Sequence, residues 1–566
     1  MTIRTLLSAF LINLVFTAIG NAENHPHILV NNEDKATILA KINQQPWAEK
    51  IFNKLVNDVK PYVERHQKDP QWILSRYLMN RIPGKRYTRF TSDKEGTVLI
   101  GYGGDAPYPT VRVSPHKRIP ISKSGFRYRM PTIEELVPND TSTLMFLQST
   151  EPGTSKEWVD PQAFIGDINA SINRLALEAS IVYWLTGKEE YAAFAADLLS
   201  QWARGVWYQD PITGPGRVGL LDIQTLGDAA SEPMILAYDF LYDYMRARKY
   251  ETKYYEGVFT KIANTLTLHG YTNNNWFAAE TPTLVYAALS IEDPKQRDYY
   301  LGFYLNRDTV VNGCGQLSLP TALKTWFTPD GHWKEPGGYH NFPVGNLLRS
   351  ALAMEKNGYP IFKMYPTLFN SSYVMLKYSF PNLKVSSYGD TGRPAQSPDM
   401  LEIGIKMADQ YHLPVLNQLT ASMDVLIKNK QYSRDESGYY GLLCYLPSIP
   451  ESKGLDYHWP RSGTLDFAGC YLQRNGMDKE KGLMFVVQGA TYNHNHANGM
   501  SMELYGAGYN MGIDPGNGPT YEAPMHVNYY TEWAAHNTVT GAAASAPVPI
   551  FKGGGGAKNI GHIALA

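Results

Sequence analysis

The chain changes its hydrophobic period once, near Tyr440, and that change limits the folds open to it. From about Asn32 to Lys430 apolar residues recur at helical spacing. Leu177, Ile181 and Trp184 form one stripe, and Gly187 is placed to stop that helix. Tyr191, Phe194, Leu198 and Trp202 form the next. Ser231 before Glu232-Pro233 reads as an N-cap and helix start, with Ile235 to Met245 continuing it. After Tyr440 the period becomes two. Phe467 to Arg474, Leu483 to Gln488 and Ser501 to Tyr505 are predicted strands, and Gly506-Ala507-Gly508 turns the chain into Tyr509 to Ile513. The expectation is an α+β multidomain chain, helical first and antiparallel β second. Residues 81–161, rich in Gly, Pro and basic side chains, fit neither period and read as an irregular lobe.

Met1 to Arg4 is a short basic start, Thr5 to Ile19 an apolar run, and Gly20-Asn21-Ala22 a small-residue cleavage site. Residues 1–22 thus read as a secretory signal peptide, and the mature chain is expected to be secreted or periplasmic without a membrane anchor. Cys314, Cys444 and Cys470 are too few and too odd for a disulfide framework. Cys444 and Cys470 have the option of pairing, but buried thiols are the simpler reading. Net charge is −1, so no global field draws in nucleic acid, and an acidic ligand must be met locally. The 39 tyrosines and 11 tryptophans suit a packed core and also clefts that stack on sugar rings.

Three stretches carry candidate chemistry. "YNHNHANGM" places His494 and His496 two apart, on one face of an extended chain. With Asp514 in "GIDPG" and His536 in "WAAHNTV", two imidazoles and a carboxylate make a common zinc set; separately, each is an ordinary hydrogen-bonded residue. "TNNNW", Thr272 to Trp276, is a turn or a source of amide donors for a carboxylate. "PDGHWKEPGGYHNF" reads as a loop between helices, whose Tyr339 and His340 follow two glycines. Tyr339 there is either a packed tyrosine or one that touches a ligand.

Taken in order, "NNNW", "PDGHWKEPGGYH", "YGDTG", "HNHANG", "IDPG" and "HNTV" resemble the heparinase II/III-like polysaccharide lyases, which include oligoalginate and glycosaminoglycan lyases. The resemblance implies an incomplete α/α toroid over residues 23–435 and an antiparallel β-sandwich over 436–566. The sheet region looks cut short, with Gly553 to Gly556 as a loop.

The resemblance also implies roles. Asn275 neutralises a uronate carboxylate, Tyr339 acts as acid, and His494 is the base for one C5 epimer. Asn274, Trp276, His340 and Tyr521 line the cleft, with Tyr529 and Tyr530 competing for the place of Tyr521. His496, Asp514 and His536 hold a structural zinc, and no organic cofactor is implied. Two positions depart from the common pattern: Asn498 replaces a carboxylate, and Asn274 precedes Asn275 where relatives often have Asn-His. The expected partner is an acidic polysaccharide, cleaved by β-elimination at a 4-linked uronate, and a homodimer is left open. A uronate C5-epimerase, a glycoside hydrolase using Asp330, Glu335 or Asp390, and a non-catalytic sugar-binding protein are the competing readings.

Overall fold

A computed structural model describes residues 25–77, short strands between 90 and 159, and 165–538 except 209–211, 215–216, 222–224, 226–228, 312–313, 336, 387–388, 393, 453–459, 490–493, 495 and 519–523. The signal peptide, Tyr521 and Gly553 to Gly556 lie outside the described residues, as does most of the 81–161 lobe. Within that lobe Leu136–Pro138, Leu144–Ser149 and Lys156–Val159 form a three-stranded antiparallel sheet.

The described chain is mostly helical with a small antiparallel sheet. Its described helices of 7 or more residues are α1 (Asp34–Gln44), α2 (Pro46–His66), α3 (Gln71–Tyr77), α4 (Ile165–Thr186), α5 (Glu189–Trp207), α6 (Glu232–Ala247) and α7 (Thr252–His269). They continue with α8 (Trp276–Leu289), α9 (Pro294–Leu305), α10 (Leu319–Trp326), α11 (Gly337–Lys356), α12 (Pro398–Gln410), α13 (Leu416–Lys428) and α14 (Gly438–Cys444). Successive helices pack on each other, and α14 returns to α2. Lys41 of α1 seals that return by donating to the carbonyls of Leu442 and Tyr445, at 2.8 and 2.7 Å. Burial pushes its pKa down to about 8.

Gly187 ends α4 as expected: its φ is +73°, where a β-carbon is strained, and its N–H reaches the Tyr183 carbonyl. Ser231 does precede α6, but its side chain caps nothing; Pro233 in the first turn supplies the start signal. Asp293 is the side-chain cap, accepting from the Gln296 N–H at 2.9 Å before α9.

The helical region runs to Cys444 and the sheet begins at Ser462, later than the 435/436 boundary expected from sequence. "GYYGLLC" forms one more helix because its apolar residues pack back toward α2. The sheet is a five-stranded meander: β1 (Ser462–Leu465), β2 (Cys470–Arg474), β3 (Met484–Gln488), β4 (Ser501–Gly506) and β5 (Tyr509–Met511). The last four are the predicted strands; β1 had no legible alternation. Register places Leu472, Val486 and Glu503 in one row and Arg474, Met484 and Tyr505 in another, all facing the helical region. Leu472, Met484, Val486 and Tyr505 pack there on Phe380 and Tyr378. The opposite face carries its own apolar row of Phe485, Leu504 and Met511. All three cysteines are free. Among the described residues no helix is long and apolar enough to cross a membrane.

The segment His25 to Val30 is fully buried. Asp239 of α6 anchors it, accepting from the N–H groups of His27 and Ile28 at 3.0–3.1 Å and meeting His25 Nδ1 at 2.7 Å. Burial would raise the Asp239 carboxyl, but the His25 hydrogen bond and the charges of His27 and His25 outweigh it and hold the carboxyl below 3.8. A depressed carboxyl gives stability that is present above its ordinary pKa and lost as pH falls through the folded value. Asp239→Asn is therefore expected to cost about 3 kcal/mol at pH 7. Urea unfolding would show that gap, and would show it narrowing below pH 4.

Candidate active site

Two helix N-termini meet at one place. Asn275 is the residue before α8, with Asn274 Oδ1 accepting from the Trp276 N–H at 2.9 Å. Tyr339 lies in the first turn of α11, which packs directly on α8. The stretch read as a loop is thus helical from Gly337 onward. Such termini present unpaired N–H groups and a partial positive charge, which suit an anion.

Glu335 ties these ends together. It is buried, and its Oε2 accepts from Asn275 Nδ2 at 3.1 Å and from the Trp333 indole at 2.7 Å. A carboxylate only accepts, so the Asn275 nitrogen must face it, leaving that amide a second N–H to offer. Glu335 Oε1 stands 3.8 Å from His494 Nε2. The His494 ring stacks on Tyr339 at 4.2 Å between centroids and 14° between planes. The structure therefore brings Asn275, Tyr339 and His494 together, across the helical region and the sheet region.

Trp276 is half-buried and meets Tyr271 edge-on at 4.7 Å, forming an aromatic rim beside Asn275. His340 is a correction. It is fully buried, its Nδ1 accepts from the Trp333 N–H at 3.1 Å, and its Nε2 faces the Ser371 carbonyl at 2.9 Å. Consecutive helical residues point about 100° apart; Tyr339 faces His494 and His340 turns inward. Burial also holds its pKa well below the usual histidine range. Asn274, with its oxygen engaged at Trp276, belongs to the turn. Tyr529 is exposed and Tyr530 half-buried, both in the turn that carries His526.

The two histidines of the HxH stretch differ sharply: the His494 side chain is 32% exposed and that of His496 is 1% exposed. Asp390 joins them, its Oδ2 at 3.1 Å from His494 Nδ1 and its Oδ1 at 2.7 Å from His496 Nε2. Burial would raise this carboxyl; the two imidazole hydrogen bonds outweigh it and hold it below the ordinary carboxylate range. Sequence reasoning quoted "YGDTG" but gave Asp390 no part here, and it did not single out Glu335 or His526 for this site. The carboxylates inside the quoted motifs were the available signal.

Among the described residues two buried groups have donor atoms close enough to share a metal ion: His25, His27 and Asp239, and Asp390, His496 and His526. In the first, Asp239 already accepts from two backbone N–H groups and His25. In the second, His526 Nδ1 accepts from the Gly518 N–H at 3.1 Å, so its proton belongs on Nε2, facing Asp390. Either group could hold a metal ion. Bare ring nitrogens lie in and beside the second. His496 Nδ1 and His536 Nε2 are buried without a hydrogen-bond partner, on rings 5.7 Å apart. Each ring's other nitrogen is held by a carboxylate, Asp390 for His496 and Asp514 for His536, the latter at 2.7 Å. Bare nitrogens on carboxylate-oriented imidazoles are what a bound metal requires. Asp514 stands behind His536, and its Oδ1 also accepts from the Gly516 N–H.

The carboxylates of the hydrolase reading are all engaged. Asp330 accepts from the Thr328 and Tyr378 hydroxyls, while Glu335 and Asp390 serve the groups above.

No family model matches the chain. It is 24% identical over 566 aligned positions to an endo-acting ulvan lyase of Formosa agariphila, covering 91% of this chain and 58% of that one. The chain thus spans 58% of that relative's length. Among solved structures it is similar to a heparan sulfate lyase from Pedobacter heparinus, with 16% identity, a TM-score of 0.42 and coverage of 74% and 60%. It is also similar to an alginate lyase from Bacteroides ovatus, with 12% identity, a TM-score of 0.42 and coverage of 75% and 100%. The chain is a distant relative of polysaccharide lyases.

Glu335→Ala would strand two buried donors and is expected to cost about 2–4 kcal/mol. Glu335→Gln, which can still accept from both, should cost much less. Urea unfolding of the two variants checks the difference.

Proposed function

We propose that this protein is an exported polysaccharide lyase that cleaves a 4-linked uronate polymer by β-elimination. The observation that carries this is the stack of Tyr339 on His494, with Asn275 held beside them through Glu335. A phenol, an imidazole and an amide donor are the groups this elimination needs. The C5 proton is alpha to a carboxylate and hard to remove. The remaining Asn275 N–H, at a helix N-terminus, stabilises the charge that builds on that carboxylate. Tyr339 protonates the departing O4, and takes the C5 proton as well when both lie on one face. His494 takes the proton when the epimer presents it from the other side. The unsaturated uronate is left on the new end, and proton count balances.

The helical region is read as an incomplete α/α toroid, supported by the return of α14 to α2. The sheet is read as one half of a sandwich, supported by the apolar row Phe485, Leu504 and Met511 on its outward face. His496 Nδ1 and His536 Nε2 would hold a structural zinc that braces the loops around His494, with Asp514 orienting the His536 ring from behind rather than serving as the third ligand expected from sequence. The N-terminal leader supports export to the periplasm or beyond.

The similarity to an ulvan lyase makes ulvan the first polymer to assay, followed by alginate, heparan sulfate, chondroitin, hyaluronan and glucuronan. Release of a product absorbing in the ultraviolet enoate band is expected. Uronate inversion without such product would instead mean an epimerase. Tyr339→Phe is expected to lower kcat by about 10²–10⁴-fold while polymer binding persists. Undiminished turnover in that variant would refute the mechanism. His536→Ala should lose bound zinc, read by elemental analysis of the purified protein, with the fold retained by circular dichroism.

A further inference from the structure

The "YGDTG" loop touches both halves of the site, and the elimination as described gives it no task at His494 or Tyr339. Asp390 makes three contacts with the HxH stretch. Its carboxylate meets His494 Nδ1 and His496 Nε2, and its backbone N–H donates to the His494 carbonyl at 2.9 Å. The last contact matters because His494 sits at φ +58°, a left-handed conformation that disfavours a residue with a β-carbon. The next residue, Thr391, reaches the other half. Its Oγ1 accepts from the Gly338 N–H at 3.1 Å, directly before Tyr339. A β-carbon on Gly338 would fall 2.3 Å from that oxygen, so the approach requires glycine there.

We propose that Asp390 is a positioning residue that sets the pose and tautomer of His494, and that with Thr391 it brackets His494 against Tyr339. The effect on turnover rests on the lyase reading above; the effect on geometry does not. An acceptor-only carboxylate keeps the proton of a neutral imidazole on the nitrogen that faces it. Asp390 lies within hydrogen-bond distance of His494 Nδ1, at 3.1 Å, whereas Glu335 stands off Nε2 at 3.8 Å, so the proton is held on Nδ1 and Nε2 is presented as the proton acceptor. The same carboxylate does the converse for His496, whose Nε2 keeps the proton and whose Nδ1 stays bare. One side chain thereby aligns a proton acceptor and its buried neighbour.

Asp390→Asn keeps the shape but offers one acceptor and one donor, so one of the two imidazoles must reverse its proton. On a polymer that the wild type cleaves, kcat is expected to fall by at least about 10-fold, with KM changed much less. Thr391→Val, which frees Gly338 without touching either histidine, should lower kcat in the same direction and serves if the Asp390 variants do not fold. Crystal structures of the wild type and Asp390→Ala give the second readout, with the Tyr339–His494 stack expected only in the wild type. Unchanged kcat in both Asp390→Asn and Thr391→Val would overturn the proposal. So would retention of the stack in Asp390→Ala. If the wild type cleaves no uronate polymer, the lyase reading falls, and the ring geometry alone decides the role of Asp390.

Discussion

The site is split between two regions of chain, so everything in it depends on how the sheet is seated on the helices. Arg474 of β2 does most of that seating. Its buried guanidinium donates to the carbonyls of Ser379, Lys377 and Pro460, all at 2.7–2.8 Å. The Lys377 and Ser379 carbonyls lie at the end of the short helical turn Val374–Tyr378, which leads toward the Asp390 loop. A guanidinium is planar and permanently charged, so three carbonyls around it fix orientation as well as distance. Tyr378 and Phe380 then fill the space between that turn and the inner face of the sheet. A tilt of the sheet would move His494 off Tyr339, and the carbonyl clamp opposes that tilt.

Buried carboxylates recur as joints elsewhere. Asp239 holds the buried segment His25 to Val30, and Glu335 holds a turn, an indole and the neighbourhood of an imidazole. Glu402 of α12 pairs with Arg434 at 2.7 Å, next to the Lys41 seal. Each joins segments distant in sequence and accepts several donors at once. A buried carboxylate with too few donors would neutralise or destabilise the fold; one with enough becomes a fixed point. Cleft residues then need little motion to be placed, because their supports already hold several donors.

Much of this was legible in the sequence because it is local. Period, Gly187 and the Gly506 to Gly508 turn each depend on a few neighbouring residues, and the structure follows them. The boundary after α14 slipped because "GYYGLLC" carries both helical and strand residues, and packing on α2 decided between them. His340 was misplaced because adjacency in a motif does not survive a helix, where the next residue faces elsewhere. Asp390, Glu335 and His526 were invisible as a set, since their partners lie tens to hundreds of residues away. The outward apolar row of the sheet was present in the alternation, but alternation alone does not say which face meets solvent.

The same distance argument separates the two histidines of "HNHANG". Spacing of two suggests one face and one task. The backbone breaks that inference at His494, whose left-handed conformation redirects its ring toward Tyr339. His496 stays buried, bound by the same carboxylate on one nitrogen and bare on the other. Half-exposure lets the first exchange protons with a ligand; full burial beside His536 gives the second no such access and favours a fixed ligand in place of water. A shared carboxylate couples them, so a change in the buried imidazole is felt in the exposed one through Asp390 rather than through the chain between them.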